Sequence, residues 1–236
     1  MARTVGFNQD QRDRWVASIA ERLPPGTRVL DIGAGPCRYR SLFSHCDYRA
    51  QDFGQYRGTS NGLLKDGWTY GELDYVCDAI AIPVEDCVFD AVLCTEVLEH
   101  VPEPIQVLRE IGRILKTGGR VFISAPLGSG LHQEPYHFYG GLTPHFYRRF
   151  LVESGFEVVS IEPNGRFFRL FLQEMHRAIG IIQLHRRYPR WHPVSWLLRI
   201  VGSYTAARWL AKQDDEIPVN EFTVGYHVEA VKSKGG

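Results

Sequence analysis

This chain is organised around the stretch Arg28-Val29-Leu30-Asp31-Ile32-Gly33-Ala34-Gly35-Pro36. A short, mostly apolar run carries an acid at Asp31 and passes directly into a turn with glycine at positions 33 and 35. Glycine lets the backbone turn sharply and lets a ligand approach closely. We expect a buried strand over 28–32 and a helix over about 38–44, whose first amides would favour a negatively charged ligand group. The stretch predicts a ligand-binding turn at the end of a parallel strand.

Two kinds of ligand use such a turn. A dinucleotide site needs a third glycine, as in G-x-G-x-x-G, for close packing of helix and strand. That position holds Arg38, which fits badly. S-adenosylmethionine (SAM) carries an ammonium, a carboxylate and a sulfonium instead of phosphates, and an acid just before the turn, Asp31, suits it. An NAD(P)-dependent oxidoreductase is therefore the less favoured alternative.

The composition bounds the class of protein. Hydrophobic residues make up 44% and charged residues 23% of 236 residues, and the formal net charge is zero. This is globular composition, and no overall field draws the chain to nucleic acid. The five cysteines are odd in number and lack C-x-x-C spacing, which argues against a disulfide framework. We expect a single cytoplasmic domain without a secretory signal or a membrane-spanning helix.

Each of the next two predicted strands carries an acid at its tip. Asp52 ends a strand over 48–52, 21 positions after Asp31, where a carboxylate can accept both hydroxyls of a ribose. The alternative for Asp52 is an ordinary loop acid or helix cap. Asp78 lies in a third short strand over 75–80, and residues 54–71 between these strands form a predicted loop.

Strands and helices alternate along the rest of the chain. The pattern predicts a Rossmann-like, doubly wound α/β fold with a mostly parallel seven-stranded sheet. No normal crossover helix precedes the last strand, so we expect that strand to be antiparallel. The predicted helices cover 8–23, 104–116 and 144–154, and the strands cover 28–32, 48–52, 75–80, 88–94, 120–125, 156–161 and 223–232.

The ordered set of motifs resembles the class I SAM-dependent methyltransferases, and in particular their type-11 group. The resemblance rests on DIGAG at 31–35, DAI at 78–80, FDAVLCTEVLEHV at 89–101 and LKTGGR at 115–120, and it covers roughly residues 15–162. The chain departs from the family pattern at Cys37 and Thr117, where the family has glycine and proline. The segments GAGPCRYR at 33–40 and EPYHFY at 134–139 also resemble members associated with cell-surface polysaccharides.

The resemblance implies SAM as cofactor and a set of residues that bind it. Asp52 would hold the ribose, the Asp78 carboxylate would take the adenine amino group, and the amide of Ala79 would meet the ring. Glu96 would lie near the methionine moiety. The complete predicted cofactor set is Asp31, Gly33, Gly35, Asp52, Asp78, Ala79, Thr95 and Glu96.

The loop over 131–145 follows strand five and is the predicted acceptor site. An acceptor hydroxyl or protonated amine needs a general base, for which we predict His137 first and Glu134 second. Tyr136, Tyr139 and His132 would line the substrate pocket. The alternative is that the aromatic residues pack the loop and the histidines cap helices. The spacing of His132, Glu134 and His137 is not diagnostic of a metal site, and we predict none.

Residues 164–212 form a predicted helical insertion between strands six and seven. They contain nine basic residues and one acid, so their charge is 9 − 1 = +8. Apolar faces at helical spacing accompany this charge. The insertion is therefore a lid, a homodimer interface or an amphipathic pair on the inner face of an anionic membrane.

We expect a SAM-dependent methyltransferase acting on a hydroxyl or amine of a small molecule or glycan, such as a sugar, including a lipid-linked one. A non-catalytic SAM-binding or scaffold protein is the alternative from another class.

Overall fold

The computed structural model describes residues 7–58, 68–186, 192–194, 196, 204–217, 219 and 221–233. The chain divides into two compact units, of which the larger comprises Arg14–Glu162 and Gly225–Gly236. The smaller unit comprises Met1–Asp13 and Pro163–Val224. All of the predicted site residues belong to the larger unit.

A seven-stranded sheet forms the framework, with strand order β3-β2-β1-β4-β5-β7-β6. The strands β1 to β5 pair in parallel, whereas β7 runs antiparallel to β5. This confirms the predicted Rossmann-like sheet with an antiparallel final strand. The strands are β1 (Arg28–Ile32), β2 (Asp47–Asp52), β3 (Tyr75–Val76), β4 (Phe89–Thr95), β5 (Leu115–Pro126), β6 (Phe156–Pro163) and β7 (Gly225–Lys232).

The order of strands reverses between β1 and β4. The chain first adds β2 and β3 on one side of β1 and then returns to place β4 on the other side. Open α/β sheets bind ligands in the crevice outside the carboxyl ends of the strands at such a point. The turn after Asp31 and the segment after β4 both lie at this edge of the sheet.

The described residues form five α-helices: α1 (Phe7–Arg22), α2 (Pro104–Ile114), α3 (Pro144–Glu153), α4 (Phe167–Arg186) and α5 (Tyr204–Glu216). The apolar face of α2 illustrates how they pack. Val107, Leu108, Ile111 and Ile114 follow helical spacing and are fully buried. Pro104 stands in the first turn, where its missing N–H has no helical partner to lose.

Alternate residues of the central strands enter two separate apolar clusters. Leu30 and Val92 pack with α2, whereas Val29 and Leu93 pack with Val16 and its neighbours on α1. Both faces of the sheet are therefore covered, as expected for buried parallel strands.

Two local predictions were wrong. Residues 38–44 form turns and a single 3-10 turn over Arg40–Phe43 instead of an α-helix. Cys37 adopts a left-handed backbone with φ of 54°, which turns the chain before a helix can begin. The third strand contains only Tyr75 and Val76 instead of 75–80.

The smaller unit contains α4 and α5. The buried carboxylate of Asp214 accepts hydrogen bonds from the amides of Arg166 and Arg169, at 2.9 and 3.1 Å, at the start of α4. An acid here neutralises the positive end of the helix dipole. The predicted insertion falls partly outside the described residues, since 187–191, 195 and 197–203 lie there. Among the described helices, none is long and apolar enough to cross a membrane.

Candidate active site

The glycine turn after β1 closes tightly against its neighbours. Gly33 and Gly35 have φ of 67° and 51°, a region that side chains rarely tolerate. A Cβ on Gly33 would lie 2.3 Å from Val97 Cγ2, and one on Gly35 would lie 2.8 Å from Trp68. Both predicted glycines are thus required by backbone conformation and by space.

Asp31 is a buried carboxyl group at the end of β1. Its Oδ2 accepts a hydrogen bond of 2.5 Å from the hydroxyl of Tyr48. The pKa of Asp31 is raised to about 7, mainly by burial. The hydrogen bond from Tyr48 lowers this pKa, and the charge of Asp52 raises it further. A cationic ligand group beside Asp31 would favour the ionised carboxylate and lower this pKa again.

Asp52 joins the glycine turn to the end of β2. Its Oδ2 accepts the amide of Gly35 at 3.0 Å, and its Oδ1 accepts the amide of Gly54 at 3.1 Å. Burial raises its pKa, whereas the amides of Gly54 and Gly35 lower it. Each carboxylate oxygen has a second lone-pair site, so the group can still accept from two ligand hydroxyls.

Gln51 is a site residue that the sequence analysis missed. Its Oε1 accepts the amide of Gly33 at 3.3 Å, and its Nε2 donates to the carbonyl of Cys77 at 2.6 Å. The backbone carbonyl of Gln51 also accepts the amide of Ala34 at 2.9 Å. One side chain thus links the glycine turn to the segment before Asp78. The parallel pairing of β2 with β1 brings Gln51 beside Ile32, a proximity absent from the local sequence.

Aromatic residues of the predicted loop 54–71 cover Gly35. The Trp68 ring lies 5.3 Å from that of Tyr56 and 6.0 Å from that of Tyr70. The indole N–H of Trp68 is buried and has no hydrogen-bond partner among the described residues. Residues 59–67 of the loop lie outside the described part of the chain.

These features fit SAM. Asp52 offers acceptors for ribose hydroxyls beside the glycine turn, and the buried indole N–H of Trp68 is a donor for a polar ligand atom. When bound, SAM supplies an activated methyl group on its sulfonium.

The Asp78–Ala79 segment forms a turn at the end of the shortened third strand. Asp78 is exposed and its Oδ1 accepts the amide of Ile80 at 3.1 Å, while Ala79 is buried. The predicted adenine contacts of these residues remain a prediction.

The end of β4 carries Thr95 and Glu96, both half-buried. Glu96 has φ of 55°, and its amide donates to the carbonyl of Ser124 at 2.8 Å. The Ser124 hydroxyl in turn donates to Glu96 Oε1 at 2.8 Å. Ser124, on the neighbouring strand β5, therefore orients Glu96 and is a second residue that the sequence analysis missed.

The predicted acceptor loop packs against the segment after β4. The amides of Phe138 and Tyr139 donate to the carbonyl of Glu99 at 2.9 and 3.2 Å. The Tyr139 hydroxyl donates to the carbonyl of Pro102 at 2.8 Å. The Tyr136 ring meets Phe53, which follows β2, at 4.8 Å. The loop thus reaches from β4 to β2 across the edge of the sheet.

Three imidazole rings meet under this loop. The ring of His132 lies 4.7 Å from that of His100 and 4.5 Å from that of His137. Burial lowers the pKa of His100 to about 4, and burial together with the nearby His132 lowers that of His137. The side chain of Glu134 is exposed and takes no part in the hydrogen bonds given above for this loop. The geometry brings His132 and His137 together with His100, and the catalytic roles of His137 and Glu134 remain predictions.

Comparison with known proteins agrees with this architecture. Residues 30–123 match a family model described as a methyltransferase domain. A sarcosine/dimethylglycine N-methyltransferase of Halorhodospira halochloris is 28% identical over 187 residues, which cover 72% of this chain and 67% of the relative. A ubiquinone biosynthesis O-methyltransferase of Xylella fastidiosa is 33% identical over 114 residues, which cover 45% of each chain.

A solved structure shares the fold. Haemonchus contortus phosphoethanolamine N-methyltransferase 2, determined with SAM, superimposes with a TM-score of 0.54 at 19% identity. The match covers 94% of this chain and 52% of that one. The chain thus spans from about half to two thirds of the length of these relatives. The matched domain over residues 30–123, the relatives and the shared fold together support a SAM-dependent methyltransferase.

Proposed function

We propose that this protein transfers a methyl group from SAM to a small polar acceptor held under the loop over 131–145. The observation that carries this proposal is the arrangement of two groups of residues at one edge of the sheet. Asp31, Asp52 and the glycine turn lie at the ends of β1 and β2, while the histidines lie beyond β4 and β5. Methyl transfer needs a donor and an acceptor held in line, and such positioning contributes roughly 7–11 kcal/mol.

In this proposal, each residue near the glycine turn has a role in binding SAM. Asp52 accepts the ribose hydroxyls with the lone pairs that Gly35 and Gly54 leave available, and Asp31 faces the methionine ammonium. Gln51 and Trp68 hold the turn in shape. Ser124 orients Glu96 toward the methionine end. Asp78 and Ala79 remain the residues proposed for the adenine.

The acceptor is proposed to be a small molecule with an amine or hydroxyl nucleophile. The names of the two relatives support this class, because one describes an N-methyltransferase of sarcosine and dimethylglycine and the other an O-methyltransferase of ubiquinone biosynthesis. Only the sequence segments 33–40 and 134–139 support a glycan as the acceptor, so we propose a glycan only as a more specific alternative within this class. Tyr136, Tyr139, His132 and His137 would contact the acceptor.

The smaller unit bears on the proposed membrane contact. Asp214, Asp215 and Glu216 directly follow the basic stretch, so the charge of residues 164–216 is 9 − 4 = +5. Arg169 pairs with Asp214 at 3.1 Å and with Asp215 at 2.8 Å. These pairs reduce the positive charge available to anionic lipid. A lid or a homodimer interface therefore stands ahead of the membrane contact for this unit.

Calorimetric titration with SAM tests the cofactor side. Asp52→Ala should weaken binding by the ~1.5–3 kcal/mol typical of hydrogen bonds to a charged group. Asp86→Ala is the matched control, because Asp86 pairs with Arg113 at 2.7 Å away from the turn. Equal affinity of the two variants would remove Asp52 from the site.

Methyl transfer itself is tested with labelled SAM and a panel of small amines, phenols and sugars. Transfer to one acceptor class that disappears in Asp52→Ala supports the proposal. SAM binding without transfer to any acceptor would favour the non-catalytic alternative, and competition by NAD would favour an oxidoreductase.

A further inference from the structure

A cluster of metal-ligand side chains lies where the loop after β5 meets the end of β4. Glu99, His100 and His132 each offer one ligand atom, and these atoms all lie within 4.8 Å of one another. His100 Nε2 is 3.8 Å from Glu99 Oε1, and both side chains are largely buried. The cluster joins two loops that are separated by more than thirty positions in the sequence.

The hydrogen bonds of both imidazoles leave one nitrogen of each ring available. His100 Nδ1 lies 2.6 Å from the carbonyl of Tyr136, and His132 Nδ1 lies 2.9 Å from the carbonyl of Gly130. Since a carbonyl only accepts, each Nδ1 carries the proton and each Nε2 keeps its lone pair. Histidines that bind metals usually donate their other N–H in this way, which fixes both tautomer and ring orientation.

We propose that Glu99, His100 and His132 bind a divalent transition metal of the Zn²⁺ class. Two imidazoles and one carboxylate suit such ions, whereas Mg²⁺ and Ca²⁺ prefer sites made of oxygen atoms. Zn–N and Zn–O distances of about 2.0–2.2 Å require the ligand atoms to approach one another further. Because His132 lies on the loop over 131–145, its side chain can move toward Glu99 and His100 when the metal binds.

Three protein ligands leave a position on Zn²⁺ that water or another group fills. The His137 ring lies 4.5 Å from that of His132, and its Nε2 is 3.1 Å from the Ser129 hydroxyl, which donates to the carbonyl of Gly140. The bound metal fastens the acceptor loop to the end of β4, in addition to the amide bonds from Phe138 and Tyr139 to Glu99.

Metal binding is measurable without SAM or an acceptor, so this proposal stands apart from the proposed methyl transfer. Untagged protein is stripped with a chelator and titrated with Zn²⁺ by calorimetry, and with Co²⁺ by absorption spectroscopy. We expect one equivalent per chain and a tetrahedral or five-coordinate Co²⁺ spectrum. His132→Gln should weaken Zn²⁺ binding by at least the roughly 10–100-fold that loss of an outer partner causes.

Two control variants make the test specific. His45→Gln removes a histidine whose Nε2 contacts the carbonyl of Leu23, far along the chain from the cluster, and should keep full affinity. Glu134→Gln removes the exposed acid of the same loop and should also keep it. His132 lies on a loop and is only half-buried, so its variant should unfold at the same temperature as the stripped wild type.

Three results would overturn the proposal. The first is the absence of a one-equivalent site in the wild type. The second is a loss of affinity in His45→Gln or Glu134→Gln as large as that in His132→Gln. The third is a His132→Gln variant that remains folded and binds Zn²⁺ as tightly as the wild type.

Discussion

The carboxyl group of Asp31 should destabilise the folded protein at neutral and higher pH, and Asp31→Asn should remove that effect. Burial raises the pKa of Asp31 from 3.8 to about 7. At about 1.36 kcal/mol for each pKa unit, this difference corresponds to a free energy of about 4 kcal/mol. Asparagine keeps the shape and an oxygen that can accept from Tyr48, but it does not ionise.

The sign follows from linkage. The pKa in the folded state lies above that in the unfolded chain, so the stabilising contribution is complete below about pH 3.8. It is lost as the pH rises toward about 7 and is absent above that value. Between about pH 5 and about pH 8, the stability of Asp31→Asn relative to the wild type should therefore increase by about 3 kcal/mol.

Urea unfolding of the SAM-free protein measures this quantity, as the difference in unfolding free energy between variant and wild type at each pH. Any offset from the amide group itself is independent of pH and does not affect the slope. Asp90→Asn is the control. Although partial burial opposes it, the Lys116 ammonium and the Arg28 amide lower the pKa of Asp90. Asp90→Asn should therefore have a lower unfolding free energy than the wild type, and this difference should not change with pH over the same pH range.

If the difference in unfolding free energy between Asp31→Asn and the wild type does not change with pH, the reasoning is refuted. Asp31 would then ionise in the folded protein as it does in water. A difference that shrinks with rising pH would mean that a cation compensates the charge. The proposed role beside the methionine ammonium adds a second readout, since the stabilised variant should bind SAM more weakly. Greater stability with lower affinity is expected where a site stores an unfavourable charge for its ligand.

Further outcomes follow from other contacts. Gln51→Ala should lower the unfolding free energy by about 1–3 kcal/mol, measured in urea, because it removes the hydrogen bonds to the half-buried amide of Gly33 and carbonyl of Cys77. If His137 is the predicted general base, His137→Ala should lower turnover by about 10²–10⁴-fold, while calorimetry shows SAM affinity within a few-fold of the wild type. If residues 164–212 contact an anionic membrane, the protein should co-sediment with anionic vesicles in a salt-sensitive way, at about 1 kcal/mol for each basic residue near the lipid. Co-sedimentation that does not depend on anionic lipid would contradict this contact and favour the lid or the homodimer interface.

The sheet was predictable because its signals are local. β1 occupies the predicted range 28–32, and the predicted strand 88–94 and helix 104–116 differ from β4 and α2 by one or two residues at their ends. The failure at 38–44 has a local cause as well. A helix is expected after a glycine turn, but the left-handed backbone of Cys37 turns the chain, and only a 3-10 turn follows over Arg40–Phe43.

Much of the candidate site depends on neighbours that only the folded sheet creates. Asp52 could be predicted as a cofactor-binding residue, because an acid at the end of this strand is well placed to accept the hydroxyls of a ribose. Gln51, one position earlier, has no such signal, and its role depends on parallel pairing with β1. Ser124 likewise reaches Glu96 because β5 pairs with β4. Polar residues that support a site through strand pairing are therefore harder to find than the residues that contact the ligand.

The histidine cluster shows the same limit for metal sites. Within the loop, the spacing of His132, Glu134 and His137 is not diagnostic of a metal site. The fold replaces Glu134, which is exposed, with Glu99 and His100, which follow the adjacent parallel strand. Because loops after neighbouring parallel strands emerge at the same edge, ligands for one ion can be drawn from two loops. Spacing within one segment therefore tests only local ligand sets, and the absence of a motif in 131–145 carries little weight against a site shared with the end of β4.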